Sequence, residues 1–390
     1  MTYKAHFSRF FAADPDRLHV AAHSHHPWPD VTYDAQMQCW YDAALLADRK
    51  WAHLFAEIWP AVQERIAALL ALPDPSSLTF GPNTHGFLMR LLSCLPSNRP
   101  IRVLTTDGEF HSFTRQMQRL EEAGQASLHR VPVEPLAGFA ERFTAAAQED
   151  YDLVYVSQVF YDSGFAVADL SALIDTIAPS DEIVVIDGYH GFLALPTDLT
   201  AVAERVFYLA GGYKYAMAGE GAVFLHAPPG ICPRPRDTGW YAAFAALEDG
   251  SSGKVGYAKD ASRFLGATFD PAGLYRLRAV LDWLAETGID VPTIHAHVQA
   301  LQRRFVDGVT KLHLPALSPD HLVVPISVDE RGHFLTFRTP EAGAIHGRLL
   351  AENVITDYRG DRLRFGFGLY HDEADIDRLC RILGAALVRA

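Results

Sequence analysis

Ile183-Val184-Val185-Ile186-Asp187-Gly188-Tyr189-His190 is the stretch on which the reading of the fold turns. Four β-branched residues in a row leave no polar face, the pattern of a strand buried on both sides of a sheet. The run ends in an acid, and a histidine follows three residues later. At the carboxyl end of such a strand a side chain faces the crevice where open α/β sheets bind ligands. Downstream, Val206-Phe207-Tyr208-Leu209 leads into Ala210-Gly211-Gly212-Tyr213-Lys214-Tyr215. The interval between Asp187 and Lys214 holds one helix and one strand, so the two side chains can rise from neighbouring strand ends.

Outward from this pair the chain alternates. Leu78–Phe80, Ile101–Leu104, Leu153–Val156, Ile183–Ile186, Val206–Leu209 and Ala222–Leu225 read as strands. Helical segments fall at 87–92, from about Ser112, and near 169–178. Strands alternating with helices predict an α/β fold with a mostly parallel sheet between helical layers. Ahead of it, helical spacing begins at Val31, and a second amphipathic stretch from Trp51 to Leu72 is expected to break at Pro60. Past residue 270 two long helices, 273–287 and 291–312, precede short strands at Leu322–Ile326, Phe334–Phe337 and Arg362–Phe367. The expected organisation is an N-terminal segment (1–30), a large domain (31–270) and a smaller α+β domain (271–390). Glu248–Lys254 is the expected least ordered stretch.

Composition narrows the function. The chain has 390 residues, 49% apolar and 21% charged, as in ordinary globular enzymes. A net charge of −13 disfavours a nucleic-acid partner. Cys39, Cys94, Cys232 and Cys380 are far apart and carry no zinc or redox spacing. With no apolar leader or membrane-length run, a cytoplasmic location without membrane contact is expected.

Lys214 and Asp187 are the two groups that pyridoxal 5'-phosphate requires. A lysine amine forms the Schiff base, and a buried carboxylate keeps the ring nitrogen protonated. The amine must be neutral to react, which burial favours. His190 is placed to contact the acid or the cofactor. Gly81-Pro82-Asn83-Thr84-His85-Gly86 opens a helix after a strand, as a phosphate site requires, with Thr84 as the leading ligand. Phe110 follows the next strand and can stack on a flat ring. Arg362 and Arg364 alternate on one strand, and either guanidinium can grip a substrate carboxylate. His23-Ser24-His25-His26 has the density of a metal-binding run. No carboxylate or thiol cluster at ligand spacing completes a shell, so no metal is expected.

Taken together, several segments resemble a known family. They are Ala22–Pro29, the Trp51 helix, the Thr84 turn, Glu109-Phe110, Asp187–His190, Tyr213-Lys214-Tyr215, Gly239-Trp240-Tyr241 and Arg364–Tyr370. From about residue 20 to 371 the chain resembles kynureninases, fold-type I pyridoxal-phosphate enzymes of the class V aminotransferase superfamily. The resemblance implies a seven-stranded sheet in the large domain, with Lys214 as the Schiff-base lysine and Asp187 at the pyridinium nitrogen, His190 nearby. It implies cofactor contacts from Asn83, Thr84, Phe110, Gln158, Tyr213, Trp240 and Thr268, Trp240 coming from the second subunit of a homodimer. It implies substrate contacts from Arg364, Ser24 and His25. Expected chemistry is hydrolytic Cβ–Cγ cleavage of kynurenine or a related amino acid, with transamination or β-elimination as alternatives. A non-catalytic binding protein and a metal hydrolase are the readings from other classes. The family's Gly-Trp-aromatic-Gly-His reads Gly239-Trp240-Tyr241-Ala242-Ala243 here, its substrate-reading asparagine is replaced near Thr268, and its Asn-Ser-Leu-Gly reads His23-Ser24-His25-His26. Desulfurase chemistry needs a loop cysteine, and none lies between Cys232 and Cys380.

Overall fold

The computed structural model describes residues 2–167, 169–177, 182–246, 253–329 and 331–388. Most of the Glu248–Lys254 stretch lies outside the described residues. The main sheet has seven strands: β1 (Leu78–Gly81), β2 (Ile101–Thr106), β3 (Ala126–Val131), β4 (Leu153–Ser157), β5 (Ile183–Asp187), β6 (Val206–Gly211) and β7 (Val223–His226). Their order is β1-β7-β6-β5-β4-β2-β3. β2 to β6 run parallel, and β7 is antiparallel to both β6 and β1.

The β-branched runs sort their side chains between two cores. Val154, Val156, Val184 and Ile186 join one, and Leu153, Tyr155, Ile183, Val185, Phe207 and Leu209 the other. Fully burying such a side chain contributes roughly 1.5–3 kcal/mol, so the central strands hold the sheet together. β3 is the strand that the sequence pattern did not reveal. It is an edge strand whose Ser127, Arg130 and neighbours carry the polar load of a solvated face.

The helices pack on this sheet in chain order. α1 (Val31–Leu46) is followed by a helical stretch in which a π turn, Leu54–Ile58, precedes α2 (Trp59–Leu70). The expected break at Pro60 is therefore absorbed. The wider turn comes just before the proline, which sits in the first turn of α2, where a missing N–H does no harm. α3 (Thr84–Cys94) and α4 (His111–Glu122) follow β1 and β2. α5 (Ala272–Thr287), just past the expected boundary at 270, packs against α1 and α2.

A third core gathers Phe305, Phe337, Phe365 and Ile376 together with Leu18 and Val20 from the N-terminal segment. α6 (Val291–Lys311) and α7 (Glu373–Val388) cover a three-stranded antiparallel sheet of order β9-β10-β8. These strands are β8 (Phe334–Arg338), β9 (Asp357–Arg359) and β10 (Arg362–Gly366). Leu322–Ile326, expected to be a strand, makes a single bridge from Leu322 to Phe337 and one backbone bond from Val323 to Thr336. Pro325 has no N–H with which to continue the ladder. The first residues are stitched to this part of the chain. Leu18 and His19 pair with Val354 and Ile355, and Ala21 bridges to Gly366. No helix among the described residues is long and apolar enough to cross a membrane.

Candidate active site

β5 ends on Asp187, and the turn after β6 carries Lys214, so adjacent parallel strands deliver an acid and an amine to one crevice. The chain leaves β5 through Gly188, where a Cβ would sit 2.0 Å from Tyr208 Cζ. Asp187 Oδ2 accepts from the Tyr155 hydroxyl at 2.9 Å and Oδ1 from the Tyr189 N–H at 3.0 Å. Tyr155 is itself fixed by Phe113, stacked on it at 3.8 Å. Burial pushes the Asp187 carboxyl up from its usual range, and these two donors pull it back.

Lys214 is buried, and burial brings its amine down to about 7 although Asp187 pulls it the other way. The amine lies over three rings, 5.2 Å from Tyr189, 5.3 Å from Phe110 and 5.6 Å from Tyr213. Its hydrogen-bond partner is His190, with Nε2 at 2.7 Å. His190 is driven well below its ordinary value, first by burial and then by Lys214, so it is a neutral acceptor for the amine. Lys214 and Asp187 feel each other's charge, yet no ion pair joins them among the described residues.

The two strand arginines separate clearly. Arg362 is engaged by Glu134 at 2.7 Å and Asp162 at 2.9 Å. Arg364 is buried, donates to the Tyr161 carbonyl and to Asp357, and adds to the field that lowers both Lys214 and His190. Arg364 is therefore the guanidinium on the amine's side. Tyr161 packs edge-on against Phe110 at 5.4 Å, so the aromatic wall runs from the amine towards the arginine.

Other expected residues lie at varied places. Asn83 caps α3 by accepting from the Gly86 N–H at 2.8 Å, and Thr84 is half-buried at the first helical position. The Gln158 side chain is committed elsewhere: it accepts from Tyr208 and donates to Thr197, both at 2.8 Å. It lines a cleft of about 740 Å³ with Thr197, His295 and Arg331, a cleft that Lys214 does not line. Only its backbone N–H serves the site, by donating to the Asp187 carbonyl at 2.9 Å. Trp240 is 44% exposed and stacks on Tyr241, and Thr268 is exposed. His25 is exposed, 2.6 Å from Glu220, with its ring 5.3 Å from Tyr213; Ser24 is half-buried. The neighbouring histidines turn inward instead, His23 to Phe334 and His26 to Tyr370.

Sequence reasoning missed Glu109, Tyr155, Asp357 and the inward turn of His23. Glu109 is buried between β2 and β4, where it accepts from Ser157 Oγ at 2.6 Å and Thr106 Oγ1 at 2.8 Å. Burial raises its carboxyl to about 8 despite those donors, so beside Asp187 it stays protonated at neutral pH. A charge next to an aromatic after a strand was its one visible signal.

Residues 294–383 match the kynureninase C-terminal domain family. A kynureninase of Deinococcus radiodurans is 26% identical over 342 residues, 85% of this chain and 80% of that enzyme. The chain is kynureninase-like. A kynureninase of Burkholderia pseudomallei is 28% identical over a shorter span, 57% of this chain and 52% of that enzyme. Solved structures extend the likeness at the level of fold. A cystine C–S lyase variant with glycine covalently linked to its pyridoxal-phosphate cofactor superposes with a TM-score of 0.81 at 18% identity, covering 98% of this chain and 99% of that one. The apo cysteine desulfurase of Thermococcus onnurineus gives 0.79 at 15% identity, covering 96% of each chain. The scaffold is that of the fold-type I pyridoxal-phosphate enzymes.

Proposed function

We propose that this chain is a pyridoxal-phosphate enzyme that cleaves the Cβ–Cγ bond of kynurenine or a related amino acid by hydrolysis. The observation that carries the reading is the buried Lys214 amine, brought down to about 7, sharing its crevice with a half-buried Asp187 to which no ion pair joins it among the described residues. A cation and an anion left apart in a dry site fit a third, polar group between them. When bound, pyridoxal phosphate supplies an aldehyde that captures amines and a ring that holds the electron pair of the breaking bond. Lys214 would hold it through Nζ, Asp187 at its ring nitrogen, and Phe110 against its face. The α3 N-terminus at Asn83 and Thr84, with Tyr213, would take its phosphate.

The residues then divide the work. Lys214, half neutral near pH 7, takes a proton from the substrate's Cα and returns it later. His190 Nε2 keeps the amine aimed and accepts its hydrogen bond. Arg364 orients the carboxylate, and Phe110, Tyr161 and Tyr189 exclude water from the amine. The missing histidine in Gly239-Trp240-Tyr241-Ala242-Ala243 favours a second reading, transamination or β-elimination on another amino acid. Product analysis on the loaded protein separates them. Alanine with an aromatic acid marks hydrolytic cleavage, a 2-oxo acid without ammonia marks transamination, and a 2-oxo acid with ammonia marks elimination. Cofactor uptake with no turnover of any amino acid offered would leave a binding protein.

A homodimer belongs to this reading. α1 exposes Tyr33, Met37, Trp40, Tyr41 and Leu45, the last at 76%, while Trp240 and Phe244 are each 44% exposed. Apolar surface gathered in this way marks an interface, and it would let Trp240 reach the other copy's phosphate. Light scattering is expected to give twice the chain mass of 43.1 kDa. Trp40→Glu with Leu45→Glu should shift the protein to monomer with loss of activity. A wild-type monomer with full activity would overturn the dimer.

A further inference from the structure

His23 is the residue of the N-terminal run that the chemistry above leaves unused. It is 1% exposed, and neither ring nitrogen has a hydrogen-bond partner among the described residues. A buried polar group in that state is rare and calls for a partner that the chain itself does not supply. The ring has been placed rather than left over. Gly366 donates to the Val20 carbonyl at 2.7 Å, and Ala22 donates to the Gly366 carbonyl at 3.3 Å, which pins the segment to the end of β10. Phe334 stacks on the imidazole at 4.6 Å. Gly366 makes room for it: a Cβ there would lie 2.2 Å from His23 Nδ1. Nδ1 thus faces backbone, while Nε2 looks towards Asp357 Oδ2 at 3.7 Å, beyond hydrogen-bond reach. Burial holds the ring neutral, pushed down to about 3; nearby Asp357 opposes it, and the Arg364 and Lys214 charges reinforce it.

Arg364 shows the complementary gap. Its two terminal nitrogens each donate one bond, to the Tyr161 carbonyl and to Asp357, and its buried Nε has no hydrogen-bond partner among the described residues. Each terminal nitrogen keeps a second N–H, so the donor left wholly unengaged is Nε–H, and a carboxylate bound there shares the guanidinium with Asp357. Asp357 Oδ2, bonded to Arg364, is also the oxygen nearest His23 Nε2.

We propose that His23 is a substrate-binding residue whose Nε2–H donates to the substrate carboxylate beside Arg364 Nε. This rests on the amino-acid reading above and names which atoms would take the acid group.

Two probes separate this role from packing. 3-Phenylpropanoate carries a carboxylate and no amine, and its binding to the purified protein is read by calorimetry without added cofactor. 2-Phenylethylamine carries the reverse, and its capture by the loaded protein is read from the visible spectrum. His23→Leu is expected to weaken 3-phenylpropanoate by about tenfold or more, with 2-phenylethylamine and cofactor uptake changed no more than about twofold. His23→Gln, which keeps a donor, is expected to recover most of the loss. Equal losses for both probes, unchanged carboxylate binding, or a wild-type protein that does not bind 3-phenylpropanoate would each overturn the proposal. If His23→Leu does not fold, the wild type decides: the His23 Nε2 resonance must move when 3-phenylpropanoate is added, and a stationary signal overturns it. Failure of the cofactor reading shows separately, as a wild-type spectrum that added pyridoxal phosphate does not change.

Discussion

Lys214→Ala is expected to abolish the visible absorbance band of the cofactor-loaded protein and to lower turnover by about 10²- to 10⁴-fold. The substitution removes both the covalent anchor and the base at Cα. It should leave the fold intact, because the amine has no ion-pair partner among the described residues that would be stranded. In the wild type, uptake of pyridoxal phosphate is expected to rise as pH climbs through about 7, where burial has moved the amine's titration. The same shift has a stability signature in the cofactor-free protein. The folded pKa lies below the unfolded value of 10.5, so the unfolded chain binds more protons between about 7 and 10.5. Wild-type stability should therefore increase with pH across that window, and Lys214→Ala should lack the slope. An unaltered spectrum in the mutant would remove Lys214 from the assignment.

Asp187→Asn is the second large effect. Asn is the same size, and its Oδ1 can still accept from Tyr155 or Tyr189, so the strand end should hold its shape. What is lost is the negative charge facing the cofactor's ring nitrogen. Breaking a buried charge pair on one side costs about 3–5 kcal/mol, which predicts cofactor affinity lower by roughly 10²- to 10⁴-fold. Equilibrium dialysis measures it directly, and the product assay should show turnover falling with it. If affinity were unchanged while Lys214 still formed its link, the ring nitrogen would lie against some other group.

The central strands were legible because their side chains cannot face water. Ile183–Ile186 and Val206–Leu209 admit no amphipathic alternative, and the acid and the amine come directly from where those runs stop. The Arg362/Arg364 choice was not legible, since strand periodicity puts both on one face. It took Glu134 and Asp162, both distant in sequence, to draw Arg362 away. β3 was hidden by its solvated polar side chains, whereas Leu322–Ile326 looked like a strand on composition and was disqualified by one proline. Gln158, implied as a cofactor contact by the resemblance alone, follows directly on the last residue of β4. The residue period of two sends its side chain through the sheet to Tyr208, away from Asp187. His23 was read with its neighbours as a metal-like run because the features that give it a role, Phe334, Asp357 and Gly366, come from the far end of the chain.

The pairing of Val20, Ala21 and Ala22 with Gly366 sets an order on how the protein can be made. During synthesis the first residues leave the ribosome long before their partners exist. At about 5–20 residues per second, that wait is on the order of tens of seconds. The sheet bearing Asp187 and Lys214 can settle while translation is still under way. The carboxylate end of the crevice cannot close until β10 has been made, so a nascent chain halted before β10 would have its amine and acid in place and nothing to orient a substrate against them.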